Sequence, residues 1–143
     1  MRTLMLASVL GLAAIAGCSK ASESKTAEPT AAAKVDVASI SVDELDQQLA
    51  NSECQAVDAN GAGTRKKMGV IPGAVLLTDS EAYDLKELPP DKSKPLVFYC
   101  ANTSCGASHD AADRAIASGY KNVKVLPDGI AGWVKAGKSV TQI

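Results

Sequence analysis

The feature that most constrains the fold is a continuous run of apolar residues from Leu96 to Tyr99. Pro95 precedes the run and Cys100 follows it. A short strand that is apolar at every position, rather than at every second one, is typical of a parallel sheet covered by helices on both faces. The sequence therefore predicts a central strand here and places Cys100 at its carboxyl end.

The segments around this run alternate between helix and strand patterns. A capping box of Ser41 and Glu44 begins a predicted helix over about 42–51, and Gly119 ends another over 107–118. This alternation predicts an α/β domain with a central, mostly parallel sheet and helices on both faces. Further strands are predicted at 56–58, 74–77 and 122–126, and a short final helix at 129–133, anchored by Trp133.

Two segments between these elements are expected to be irregular. Residues 61–68 are predicted to form a loop or one short helical turn. Pro89, Pro90 and Pro95 restrict the residues before them to extended conformations, so 85–95 is predicted to be a surface loop.

The N-terminus has the pattern of a targeting segment. Arg2 precedes an apolar run from Leu4 to Ala16, which is too short to span a bilayer. The run ends in Ile15-Ala16-Gly17-Cys18, which resembles a lipobox, so residues 1–17 are predicted to be a lipoprotein signal peptide and Cys18 the lipidated residue. The alternative is an ordinary secretory signal with a chance cysteine. Ser19, where an Asp would favour inner-membrane retention, favours an outer-membrane anchor facing the periplasm.

The remaining chain is long enough for one domain. Residues 18–38 are rich in Ala, Ser, Thr, Lys and Glu and are predicted to be a flexible tether, with the folded domain at 39–143. The whole chain has 15 basic and 16 acidic residues, and no basic cluster is interleaved with aromatic residues. Nucleic acid is therefore not expected as a partner.

Cys100 is the principal candidate for a reactive group. In α/β sheets, ligands bind outside the carboxyl ends of the strands, and a loop of small polar residues leads from Cys100 to a predicted helix N-terminus. Loop amides and the helix dipole stabilise a thiolate. We therefore expect the pKa of the Cys100 thiol to be lowered.

Several segments resemble the rhodanese family over about residues 40–138. Gly69 to Ala74 is similar to the family's G-H-I-P-G-A segment, and Asp58 falls where rhodaneses carry the Asp of a D-V-R triplet, with Asn60 in the place of its Arg. The stronger similarity lies in the second half, in Leu96 to Cys100, Ala111-Ala112, Gly119-Tyr120, Asn122-Val123, Leu126 and Gly129 to Trp133.

The resemblance implies a rhodanese-like three-layer fold and a sulfurtransferase that needs no cofactor. Cys100 would take a sulfane sulfur from a donor such as thiosulfate or a persulfide, and pass it to a thiophilic acceptor such as cyanide or a thiol. The backbone N–H groups of the following loop would cradle the terminal sulfur of this persulfide. These residues are Ala101, Asn102, Thr103, Ser104, Cys105 and Gly106.

Two other activities are considered for the same loop. It contains no Arg, which argues against the related phosphatases and arsenate reductases, because those clamp a tetrahedral oxyanion with one. Cys105, five residues after Cys100, is a possible redox partner. The alternative to sulfur transfer is therefore a thiol–disulfide redox or non-catalytic persulfide-binding module that uses both cysteines.

The other candidates have simpler explanations. His109, the only histidine, is a possible accessory proton donor or a solvated helix residue, and Asp58 is expected to brace loops. Cys100, Cys105 and His109 have a zinc-like spacing, but a fourth ligand is not evident although Cys54 is conceivable, so no metal is expected. Ser108 and Asp110 are expected to be exposed or to cap the helix.

Overall fold

The computed structural model describes residues 36–143. The predicted signal peptide, Cys18 and most of the predicted tether lie outside the described residues. Within 36–143, no helix is long and apolar enough to cross a membrane.

The centre of the domain is a parallel sheet of five strands. The strands are β1 (Ala38–Ser39), β2 (Gln55–Asp58), β3 (Val75–Leu76), β4 (Leu96–Tyr99) and β5 (Val123–Leu126), in the order β1-β5-β4-β2-β3. All four pairings are parallel. The apolar run from Leu96 to Tyr99 is thus the middle strand, buried at every position, as predicted.

Four helices cover the sheet. They are α1 (Val42–Ala50), α2 (Ala62–Met68), α3 (Ala107–Ala117) and α4 (Gly129–Lys135), and a single 3-10 turn lies at Leu85–Glu87. The hydroxyl of Ser41 caps α1 by accepting the amide of Glu44, which is half of the predicted capping box. The Glu44 carboxylate instead accepts from Gln48 and Lys124.

The two faces of β4 have separate cores. Leu96 and Phe98 pack in a cluster with the apolar face of α3, whereas Val97 and Tyr99 pack in a second cluster with Trp133 and other residues of α1 and α4. Successive side chains of a strand point to opposite faces, so an all-apolar strand feeds both cores. These clusters make the domain the three-layer α/β fold that the sequence predicts.

Two details differ from the sequence-based expectation. Residues Ala62–Met68 form a helix of seven residues rather than a loop or one turn. The domain also begins before residue 39: Val37 is buried in the core, and Ala38 pairs with Lys124 at the edge of the sheet. A two-residue strand has little pattern of its own, and it forms because β5 offers an unpaired edge.

Candidate active site

The backbone of Cys100 is held between β4 and the beginning of α4. The amide of Ile130 donates to the carbonyl of Cys100 at 2.9 Å, and the amide of Ala131 donates to the carbonyl of Ala101 at 3.0 Å. These amides belong to the first turn of α4, where N–H groups have no partner within the helix. The start of the loop is therefore fixed at the carboxyl edge of the sheet, where parallel sheets bind ligands.

The loop after Cys100 folds back through a turn at Asn102. The backbone carbonyl of Asn102 accepts the amide of Cys105 at 3.0 Å, and its side-chain Oδ1 accepts the amide of Ser104 at 3.0 Å. This turn returns the chain to Cys100, whose thiol donates to the carbonyl of Cys105 at 3.1 Å. The loop thus closes over Cys100, which is only 1% exposed.

Ser108, in the first turn of α3, lies beside the same thiol. Its Oγ is 3.3 Å from the Sγ of Cys100, its backbone N–H acts to lower the pKa of that thiol, and the residue is 1% exposed. The expectation that Ser108 is exposed is therefore wrong. A signal was present in the sequence, because Ser108 precedes Ala111 and Ala112 by three and four positions and so shares their buried helix face.

The surroundings of Cys100 raise the pKa of its thiol, contrary to the expectation from the sequence. Burial is the largest cause, and the contact with the Cys105 side chain adds to it, while hydrogen bonds from Ser108 offset part of the shift. A buried thiol loses the water that stabilises its charged form. The closed loop presents a carbonyl to Cys100, and a carbonyl favours the protonated thiol.

Cys105 is the thiol whose pKa the loop lowers. Burial opposes this shift, but the neighbouring Cys100 side chain and the backbone N–H groups of Ala101 and Ala107 outweigh it. Cys105 is partly exposed, whereas Cys100 is buried. The more acidic and more accessible sulfur of the pair is therefore that of Cys105.

The predicted cradle residues, Ala101 to Gly106, surround the site but face different partners. The amide of Ala101 acts to lower the pKa of the Cys105 thiol. The amides of Ser104 and Cys105 donate to the side-chain oxygen and the backbone carbonyl of Asn102. Asn102, Thr103, Ser104 and Gly106 are exposed. A cradle for the terminal sulfur of a Cys100 persulfide stays a prediction.

Asp58 braces the neighbouring strand ends and is fully buried. Its carboxylate accepts the amide of Asn60 at 2.6 Å and the Nε of Arg65 at 3.3 Å. Arg65 also donates to the backbone carbonyls of Asp58 and Leu77 at 2.9 and 2.8 Å. Arg65, from α2, therefore pairs with Asp58, although Asn60 stands where the D-V-R triplet has its Arg. The pairing was not predicted from the sequence because it depends on the path of α2.

The other candidate ligands do not gather at Cys100. The contacts of the Cys100 thiol are with Cys105 and Ser108, and His109, partly exposed in the same turn of α3, is not among them. Cys54 precedes β2 and so lies at the amino edge of the sheet, opposite Cys100. Among residues 36–143, no group of three or more His, Cys, Asp or Glu side chains is arranged to hold a metal ion.

The fold and the thiol site define an α/β domain with a cysteine at the carboxyl end of its central strand. The profile of the rhodanese-like domain family matches residues 41–136. The chain therefore belongs to the rhodanese-like domain family. No curated protein sequence matches it significantly.

Solved structures share the fold at low sequence identity. A protein from Bacillus halodurans superposes with a TM-score of 0.64 at 22% identity, over 73% of this chain and 77% of that one. A rhodanese-like domain protein from Staphylococcus aureus gives 0.59 at 24% identity, over 74% and 100%. The 3-mercaptopyruvate sulfotransferase of Escherichia coli gives 0.58 at 22% identity, over 75% of this chain and 51% of that one. At these identities the similarity establishes the fold alone.

Proposed function

We propose that this protein is a sulfurtransferase that carries sulfane sulfur as a persulfide on Cys100. The observation that carries the proposal is the position of the Cys100 sulfur. It lies at the carboxyl end of the central strand, 3.3 Å from the hydroxyl of Ser108 in the first turn of α3, and the backbone N–H of Ser108 also acts to lower the pKa of the thiol. Donors at a helix N-terminus stabilise a thiolate and the negative persulfide sulfur that replaces it.

The chemistry requires two displacements at sulfur. The Cys100 thiolate attacks the outer sulfur of the donor, the donor's S–S bond breaks, and sulfite leaves when the donor is thiosulfate. A thiophilic acceptor then attacks the terminal sulfur of the persulfide and regenerates the Cys100 thiolate. No base is needed once the thiolate has formed, because the thiolate is itself the nucleophile.

The charges around the loop favour a donor of low charge. Asp110 acts on the Cys105 sulfur as a negative charge. An open cavity of about 600 Å³ beside Asn102 and Thr103 is lined by two carboxylates, Asp43 and Asp128, and one cation, Lys135. We therefore expect a persulfide donor of low net charge, such as cysteamine persulfide, to react with a higher kcat/KM than the thiosulfate dianion.

The test compares two donors, thiosulfate and cysteamine persulfide, with cyanide as the acceptor, after the protein has been reduced and the reductant removed. Cys100→Ser is expected to abolish the persulfide and the transfer, whereas Cys54→Ala, at the opposite edge of the sheet, leaves both intact. Cys105→Ser separates this proposal from the redox alternative. A sulfurtransferase still turns over in that variant, and a dithiol oxidoreductase does not. Absence of transfer from either donor by both the correctly folded wild type and Cys105→Ser would overturn the proposal.

We also propose that the protein is lipid-anchored through Cys18, in the outer membrane and facing the periplasm. The support is the order of Arg2, the apolar run, the small residues and the cysteine in the sequence. A labelled fatty acid is expected to be incorporated into the wild-type chain and not into Cys18→Ser. Equal labelling of the two chains would contradict the anchor, and separation of the membranes by density would test its location.

A further inference from the structure

We propose that Cys105 is a resolving thiol, which attacks the Cys100 persulfide, forms a Cys100–Cys105 disulfide and releases hydrosulfide. This inference rests on the proposed Cys100 persulfide. It assigns to the same site a second outcome, in which the bound sulfane sulfur is reduced instead of transferred.

The first observation is that the loop brings the two cysteines together. The turn at Asn102 directs the chain back, and the Cys100 thiol donates to the backbone carbonyl of Cys105 at 3.1 Å. Both are free thiols in this structure. A pair already in contact forms an intramolecular disulfide with little loss of chain entropy, because the loop between them is short and closed.

The second observation is the asymmetry between the two sulfurs. The Cys100 side chain and the amides of Ala101 and Ala107 lower the pKa of the Cys105 thiol and so favour its thiolate. Cys100 is buried, whereas Cys105 is partly exposed. The attacking group in a thiol exchange is a thiolate, so once Cys100 carries the sulfane sulfur, Cys105 is the neighbouring thiol placed to attack it.

The reaction balances in atoms and electrons. The Cys105 thiolate attacks the Sγ of Cys100 in the protonated persulfide, the bond to the terminal sulfur breaks, and that sulfur leaves as hydrosulfide with its proton. The sulfane sulfur gains two electrons, and the two cysteines lose two as their disulfide forms. An external dithiol, reaching the exposed side of Cys105, then reduces the disulfide and restores both thiols.

The experiment uses the full-length chain in mild detergent, reduced and kept under anaerobic conditions. One equivalent of glutathione persulfide is added and the released hydrosulfide is measured. The protein is then alkylated and digested with trypsin, and the mass of the peptide of residues 93–114 is measured. Its two cysteines are Cys100 and Cys105. The wild type is expected to release about one equivalent of hydrosulfide and to give a peptide that takes up no alkyl group and is about 2 Da lighter than the unalkylated dithiol form.

The variants locate the step. Cys105→Ser is expected to hold the sulfur, with a peptide about 32 Da heavier than its reduced form and no hydrosulfide release. Cys105→Ala is a second variant with the same expected result, in case serine disturbs the loop. Cys54→Ala is the matched cysteine control and is expected to behave as the wild type.

The outcomes separate this inference from the proposed function. A stable persulfide in the wild type, or equal hydrosulfide release by wild type and Cys105→Ser, would overturn the resolving role and leave the Cys100 persulfide standing. Failure of every variant, including Cys105→Ser, to acquire the sulfur would overturn both.

Discussion

The α-carbon of Gly129 faces the carbonyl of Cys100 so closely that a Cβ at position 129 would lie 2.5 Å from the carbonyl oxygen. The φ angle of Gly129 is also positive, at 58°. Glycine is therefore required twice, by the left-handed backbone and by the approach of α4 to the strand end that carries Cys100. This contact allows the first turn of α4 to hold the backbone of Cys100.

Gly129→Ala is expected to destabilise the domain and disturb the site together. The positive φ and the forced overlap together cost about 2 to 5 kcal/mol of unfolding free energy. Gly137→Ala is the matched control, because Gly137 has φ of 73° but nothing within 4 Å of its would-be Cβ. That control is expected to lose about 1 to 2 kcal/mol and keep sulfur transfer. Denaturant unfolding measures both, and equal losses would contradict a steric role for Gly129.

Ser108→Ala is expected to raise the pKa of the Cys100 thiol further. Burial already raises this pKa, and the Ser108 hydroxyl is one of the groups that oppose the rise. Loss of one hydrogen bond is worth about 0.5 to 1.5 kcal/mol, which predicts an approximately two- to tenfold slower alkylation of Cys100 at neutral pH. The measurement is the pH profile of alkylation, with exposed Ser104→Ala as the control. An unchanged midpoint would show that the hydroxyl does not act on the thiol.

The two thiols are expected to be alkylated in a fixed order. Cys105 has the lowered pKa and is partly exposed, so it reacts first as pH rises, and Cys100 follows. Cys105→Ser removes a contact that raises the pKa of Cys100, and its midpoint is expected to move to lower pH. Cys54→Ala should not move it. Peptide mapping of a short iodoacetamide pulse gives the order, and initial labelling of Cys100 would contradict it.

The fold was largely predictable because the dominant signals are local. The all-apolar strand from Leu96 to Tyr99 and the apolar face of α3 follow from periodicity alone. β1 was not predicted, since Ala38–Ser39 carries no pattern and depends on pairing with the distant strand β5. A strand that forms because a strand distant in the sequence pairs with it cannot be predicted from its own residues.

The site was predictable in position but not in its internal contacts. The strand end fixes Cys100, whereas the partners of its sulfur depend on the path of the loop through the turn at Asn102. That path turns a carbonyl toward Cys100 and amides toward Cys105, so it reverses the expected direction of the Cys100 pKa. Residue types alone do not indicate which backbone group a loop presents.

The pair of Asp58 and Arg65 is expected to stabilise the strand ends beside the site. Asp58 is 0% exposed, and the guanidinium of Arg65 contacts both its carboxylate and the carbonyl of Leu77. Arg65→Met leaves a buried carboxylate without its cation, which costs about 3 to 5 kcal/mol of unfolding free energy. Lys66→Met, an exposed neighbour on α2, is the control and is expected to change stability by less than about 0.5 kcal/mol.

The double variant Arg65→Met with Asp58→Asn tests the origin of that loss. Removing the carboxylate removes the uncompensated charge, so the double variant is expected to be more stable than Arg65→Met alone, as measured by urea unfolding. Strictly additive losses would mean that Arg65 acts through its backbone contacts to Asp58 and Leu77 rather than through the carboxylate. In that case Arg65 would still connect the end of β2 to the residue that follows β3 through its contacts with the two carbonyls. The buried carboxylate of Asp58 would then be stabilised by its hydrogen bond from the amide of Asn60.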